Sequence, residues 1–169
     1  MALGGSIFYE AVDAPSGNPD TNGPTQRYFR TAGSLGWGFP AALGVKCALP
    51  DRPVVCFTGD GGFYYHIAEL ETARRHNINA VIVVNNNSAL NQEIKLNDAA
   101  YGGKQRGRAE EMWRFPEVNF AKIAEGFGCA GTNGLRSSSA STAAVSSPSN
   151  GARRPTCQLV LLVSHLLVG

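Results

Sequence analysis

The chain has 169 residues, 43% of them hydrophobic and 17% charged, with 20 glycines, four cysteines and a formal net charge of +2. At roughly 150 residues per domain one domain is expected, the apolar content argues against general disorder, and the near-neutral charge gives no electrostatic footprint for nucleic acid. No apolar run reaches the roughly 18–20 residues of a membrane helix, Met1–Glu10 lacks the pattern of a secretion signal, and the cysteines at 47, 56, 129 and 157 form no C-x-x-C pair, so reduced thiols in a cytoplasmic protein are expected rather than zinc or dithiol chemistry.

Residues 1–29 read as a lead-in, 30–128 as the core of the domain and 129–169 as a tail. Phe39–Ala48 is small and apolar, with Pro40 near its start, and predicts a tightly packed helix. Pro53–Thr58 predicts a buried strand. Tyr64–His76 places Ile67, Leu70 and Ala73 at near-helical spacing among Glu69, Glu71, Arg74 and Arg75, the pattern of an amphipathic helix. Ala80–Val84 predicts a second buried strand, continuous rather than alternating. Two such strands joined by a helix make a βαβ unit with parallel strands. Asn119–Phe127 predicts a helix capped by Asn119, with Phe120, Ile123, Ala124 and Phe127 on its apolar face and Gly128 ending it. The fold class is α/β, a mostly parallel sheet with helices on both faces.

The tail differs in composition. Residues 129–169 contain three arginines and no acid, whereas residues 1–128 carry 12 basic and 13 acidic groups. Seven serines crowd 137–149, which reads as linker or low-complexity sequence. The apolar run 158–169 fits either a terminal strand or an unprotected sticky segment.

Ligands of parallel sheets bind beyond the carboxyl ends of the strands, and two polar clusters stand there. Gly59-Asp60-Gly61-Gly62 follows the first strand, and Asn85-Asn86-Asn87 follows the second. The glycines admit close backbone approach, and the helix start beyond them offers free amides to an anion, phosphate best of all. Asp60, an Asn side chain and a backbone carbonyl supply the hard oxygens that Mg²⁺ takes alongside substrate phosphates. A Gly-Asp-Gly turn alone is commonly only a turn. The 24 positions between Gly61 and Asn86, filled by strand-helix-strand, bring both clusters to one sheet edge.

Gly59-Asp60-Gly61, 24 residues and then Asn86-Asn87 resembles the signature of thiamine diphosphate enzymes. The segments Thr31–Gly44 and Asp51–Phe63 resemble the same family, and the likeness runs from about Phe29 to Gly128. The acetolactate synthase, benzoylformate decarboxylase and pyruvate oxidase type is the nearest in pattern. The resemblance implies the thiamine diphosphate-binding fold. It also implies Mg²⁺ ligands at Asp60, the Asn87 side chain and the Ala89 carbonyl; a shift by one, to Asn85-Asn86 with the Ser88 carbonyl, needs a gap in the spacing. Gly59, Gly61 and Gly62 would line the diphosphate. Leu35 would lie beneath the thiazolium, and backbone groups of Gly33 and Leu35 would meet the aminopyrimidine. The implied reaction is decarboxylation of a 2-oxo acid, with protonation, ligation or oxidation of the carbanion that remains.

In such enzymes a glutamate from a pyrimidine-binding domain activates the cofactor, and no residue of this chain fills that role. Glu10 precedes the motifs and reads as a solvated or structural residue. The expected partner is therefore a domain or subunit carrying that glutamate, in a homo- or hetero-oligomer, and the isolated chain should be inactive. The alternatives are a non-catalytic subunit or truncated fragment retaining the fold, and an unrelated nucleotide-phosphate binder. His66 sits near the site, where a packed or exposed helical histidine is the favoured reading over a catalytic one; Asn91, Gln92 and Glu93 could face substrate, with an equally good reading as a polar loop. Asp98–Glu117 reads as a lid or as a docking segment through Trp113 and Phe115. Lys104, Arg106 and Arg108 are offset by Glu110 and Glu111.

Overall fold

A computed structural model of the chain describes residues 6–10, 26–30, 34–103, 107–133 and 158–163. Its strands are β1 (Ser6–Glu10), β2 (Gln26–Arg30), β3 (Val54–Gly59), β4 (Val81–Asn86), β5 (Ala130–Asn133) and β6 (Gln158–Val163). They form a sheet in the order β2-β1-β3-β4-β6-β5. Strands β3, β4, β6 and β5 run parallel, while β1 is antiparallel to both β2 and β3. The parallel centre is the one expected. The antiparallel edge pair went unread because both strands are five residues long and β2 is mostly polar, a composition that edge strands tolerate and apolar periodicity does not detect. Part of the tail also lies in the sheet, as β6 fills the place between β4 and β5.

The helices are α1 (Gly38–Ala48), α2 (Asp60–Tyr64), α3 (Glu69–Arg75), α4 (Asn91–Ala100), α5 (Glu110–Trp113) and α6 (Phe120–Gly126). None among the described residues is long and apolar enough to cross a membrane. The single helix expected over 64–76 is shorter, since α2 ends at Tyr64, residues 65–68 form turns and α3 begins only at Glu69. Between them His66, Glu69, Leu70 and Glu71 donate N–H bonds three residues back rather than four, to Phe63, His66, Ile67 and Ala68. A three-residue pitch keeps Ile67, Leu70 and Ala73 in line as well as a 3.6-residue one does, so their spacing could not reveal the break. Leu70 and Ala73 are fully buried. Helix α6 follows expectation: the Asn119 side chain accepts from the Lys122 N–H at 3.0 Å, and Gly128 beyond its end has φ +78°, a conformation glycine adopts without strain.

Strand β3 alternates, with Val54, Cys56 and Thr58 buried and Val55, Phe57 and Gly59 half-buried. The continuous burial of a fully covered strand is therefore absent there. Phe39 of α1, Phe63 of α2 and Phe120 of α6 meet in the core, with ring centroids 5.2 Å apart for the first two and 5.6 Å for the last two. Helix α6 lies so close to β5 that a Cβ on Gly131 would strike the Ala121 carbonyl oxygen and come within 2.8 Å of its Cα. Backbone cannot rotate aside as a side chain can, so Gly131→Ala should destabilise the fold by about 3 kcal/mol. Chemical denaturation checks this, and an unchanged midpoint would contradict the close approach.

Burial pushes the Cys56 thiol up to about 12, and Cys129 is buried as well, whereas Cys47 is exposed. Thiolate is the reactive form. A maleimide probe at neutral pH should therefore modify Cys47 rapidly, with Cys56 and Cys129 protected until the chain unfolds. Mass mapping of the native adducts reads this, and early labelling of Cys56 would refute its burial.

Candidate functional site

Strands β3 and β4 end side by side, with Gly59 opposite Asn85. The next residue, Asp60, already begins α2, entered from an extended Gly59 that offers no side-chain cap. The two glycines thus sit inside the first helical turn. A Cβ on Gly61 would run into Leu90 Cδ2 and lie 3.5 Å from Phe115 Cε2, so a larger residue there would have to displace the Leu90 side chain.

The three asparagines do different work. The first two end β4 and are buried. Asn86 is spent on local structure: its Oδ1 accepts from the Ser88 N–H at 3.1 Å, and its Nδ2 donates to the Val118 carbonyl at 3.2 Å. Asn87 is exposed, and its Oδ1 accepts from the Ala89 N–H at 3.2 Å. The same N–H donates to Asp60 Oδ2 at 3.2 Å. One amide hydrogen therefore gathers a carboxylate oxygen and an amide oxygen from two chain segments. Ser88 between them has φ +54°, a left-handed conformation uncommon for a residue other than glycine, and such strain concentrates at ligand sites.

A second strap holds this loop from outside. Ala89 and Arg114 form an antiparallel bridge. The Leu90 N–H donates to the Trp113 carbonyl at 2.8 Å, and the Phe115 N–H donates to the Ser88 carbonyl at 2.9 Å. In such a pair the central residue's own N–H and C=O turn away from the partner strand. The Ala89 N–H accordingly faces Asp60, while the Ser88 carbonyl is taken.

Asp60 is 3% exposed. Burial pushes its carboxyl above the usual range, opposed by backbone N–H bonds from Gly61, Ala89, Ser88 and its own residue. Ion pairs among the described residues are surface pairs of α3 and α5, such as Arg75 with Glu71 at 2.9 Å, and none reaches it. Burial of its own hydroxyl, and then the charge of Asp60 beside it, raise Tyr64. A buried carboxylate met by amides and by no cationic side chain suits a metal cation. No group of three or more His, Cys, Asp or Glu could hold a metal among the described residues. The donors here are instead one carboxylate with amide and carbonyl oxygens, a set that fits Mg²⁺ and not zinc.

The other expected residues are placed as follows. Leu35 is half-buried in the turn before α1. Gly36 beside it has φ +89°, and a Cβ there would come 2.7 Å from Tyr65 Cβ and 2.9 Å from His66 Cδ2. The Leu35 loop is thus packed on the turn after α2, and His66 lies against it. Asn91 and Glu93 open α4. Gly33, Lys104, Arg106 and the serine stretch lie outside the described residues. Sequence reading missed the roles of Ser88, Leu90 and Tyr64 around the loop. The one available signal was Pro116, which biases Phe115 toward extended backbone.

Residues 19–149 match the family described as thiamine pyrophosphate enzyme, C-terminal TPP binding domain. The chain is 43% identical over 100 residues to the acetolactate synthase large subunit of Haemophilus influenzae, covering 59% of this chain and 17% of that protein. It is 40% identical over 99 residues to the acetolactate synthase isozyme 3 large subunit of Escherichia coli K12, covering 59% and 17%. Among solved structures, the thiamine diphosphate-dependent 4-hydroxybenzoylformate decarboxylase of Rhodococcus jostii RHA1 superposes with a TM-score of 0.60 at 27% identity, over 77% of this chain and 23% of that one. The chain thus spans about a sixth of the length of these curated relatives.

Proposed function

Because the chain belongs to the thiamine pyrophosphate enzyme family and carries its C-terminal TPP binding domain, we propose that it holds thiamine diphosphate through Mg²⁺ at the carboxyl edge of β3 and β4, in an acetolactate synthase-like enzyme acting on 2-oxo acids. The observation that carries this reading is the meeting of Asp60 Oδ2 and Asn87 Oδ1 on the single Ala89 N–H, next to the Gly61-Gly62 turn. Asp60, Asn87 and the Ala89 carbonyl are the metal ligands in this reading. The Ser88 carbonyl already accepts from the Phe115 N–H, which favours this register over the one displaced by a residue. Gly59, Gly61 and Gly62 border the diphosphate, and Gly33 and Leu35 border the rings.

When bound, the cofactor supplies the carbanion chemistry by which a 2-oxo acid loses carbon dioxide. The chain's own contribution is to hold the cation through Asp60, Asn87 and the Ala89 carbonyl and to fix the position of the diphosphate beside Gly61 and Gly62. The glutamate of a pyrimidine-binding domain completes the site in this reading, and the isolated chain has no turnover.

The test is a calorimetric titration of thiamine diphosphate with Mg²⁺ and with EDTA, alone and with a pyrimidine-binding domain supplied. Magnesium-dependent binding is expected, tighter with the added domain. Binding indifferent to magnesium, or equal binding of an unrelated nucleoside diphosphate, would sink the reading.

A further inference from the structure

The candidate metal loop, residues 87–90, has left the sheet, and no helix begins until Asn91. Regular structure therefore does not fix the distance between Ala89 and Asp60. The direct Ala89 N–H bond to Asp60 Oδ2 is backed by residues 113–115, whose backbone bonds to Leu90 and from Phe115 flank Ala89 on either side. The Phe115 side chain reaches the other half of the site. Its ring packs edge-on against Tyr64 of α2, with centroids 5.2 Å apart and planes at 73°, and it overlies Gly61. One residue thus grips both the loop that carries Asn87 and Ala89 and the helix that begins with Asp60. Pro116 restricts Phe115 to extended backbone, the conformation the bridge requires.

The geometry points to Phe115 as a positioning residue: it sets the separation of the 87–89 loop from Asp60, and with it the affinity of the cation those groups share. The assignment rests on the reading of these groups as the metal end of a thiamine diphosphate site. Phe115 is not one of the metal ligands of that reading. Loss of an outer residue that orients metal ligands commonly costs affinity about ten- to a hundredfold.

Two measurements on the full chain test it separately. The first needs no ligand. Amide hydrogen exchange at Ala89 and Leu90 should quicken about tenfold in Phe115→Ala, with Val83 and Val84 unchanged. Phe115→Leu should restore much of the protection, and Met112→Ala, an exposed change in α5 just before the strap, should have no effect. Unchanged exchange at 89 and 90 would overturn the assignment. So would a rise spread equally over 83, 84, 89 and 90, which marks a general loss of stability. The second measurement titrates Mn²⁺ in the presence of thiamine diphosphate, read by the Mn²⁺ electron paramagnetic resonance signal. The midpoint should rise about tenfold in Phe115→Ala at unchanged stoichiometry. An unmoved midpoint would overturn the positioning role. If the wild-type chain bound no Mn²⁺, the cofactor reading would fall, and the exchange result would still decide whether Phe115 holds the loop.

Discussion

Replacing Asp60 by asparagine is expected to remove magnesium-dependent thiamine diphosphate binding while leaving the cofactor-free fold nearly as stable as before. The amide retains an oxygen for the Ala89 N–H, so the turn keeps an acceptor. It loses the charge, which is what a divalent cation needs from this position. Affinity should fall by more than about a hundredfold, beyond the usual cost of losing an outer-shell group. The cofactor-free melting temperature should stay within about 4 °C, the shift that roughly 1 kcal/mol produces in a chain of this size. The pH dependence has a definite sign. Burial raises the native carboxyl above its ordinary value of 3.8, so the folded state binds its proton more readily than the unfolded state does. The stabilisation from this group is complete below the ordinary value and is lost as pH rises through the raised native one. Asp60→Asn should abolish that component. Calorimetry and melting curves across pH check both halves; wild-type affinity in the asparagine variant would dispose of Asp60 as a ligand.

Phe63→Ala should be the most damaging core truncation near the site. The ring is fully buried and touches one aromatic from α1 and one from α6, so its removal leaves a cavity shared by three helices. A loss of about 3–5 kcal/mol is expected, against a total stability of about 5–15 kcal/mol for ordinary domains. Because Phe63 adjoins the Gly61-Gly62 turn, Phe63→Leu should restore most of the stability and the binding together. Urea denaturation of the three proteins tests this. A loss below about 1 kcal/mol for the alanine variant would mean that the aromatic cluster does not hold the core.

The βαβ unit was legible because its apolar runs, its glycine turn and its 24-residue spacing each obey local rules. The same is true of α6, where the cap and the terminal glycine stand in the chain as Asn119 and Gly128. What escaped notice depends on partners distant in sequence. The break after Tyr64 conserves the apolar register, so periodicity could not show it. The edge pair β1 and β2 is too short, and β2 too polar, to stand out. The division of labour within the asparagine run is set by Val118 and by the strap at 113–115, and no local rule announces either. Family resemblance named Asp60, Asn87 and Ala89 without saying what holds them in place.

The strand that comes last along the described chain is not last in the sheet: β6 lies between β4 and β5 and pairs with both. On the ribosome, β5 emerges before the neighbour it needs, and a slot between two parallel strands waits for residues 158–163. A polypeptide released anywhere between 134 and 157 would carry an open edge on β4 and a detached β5. Unpaired edges recruit other chains, so such products should be found in aggregates or cleared by proteases rather than persisting as weakened copies. Pulse-labelled lysates of a chain stopped after Pro155 would show this as rapid loss from the supernatant, which makes synthesis of residues 158–163 the step that commits the sheet.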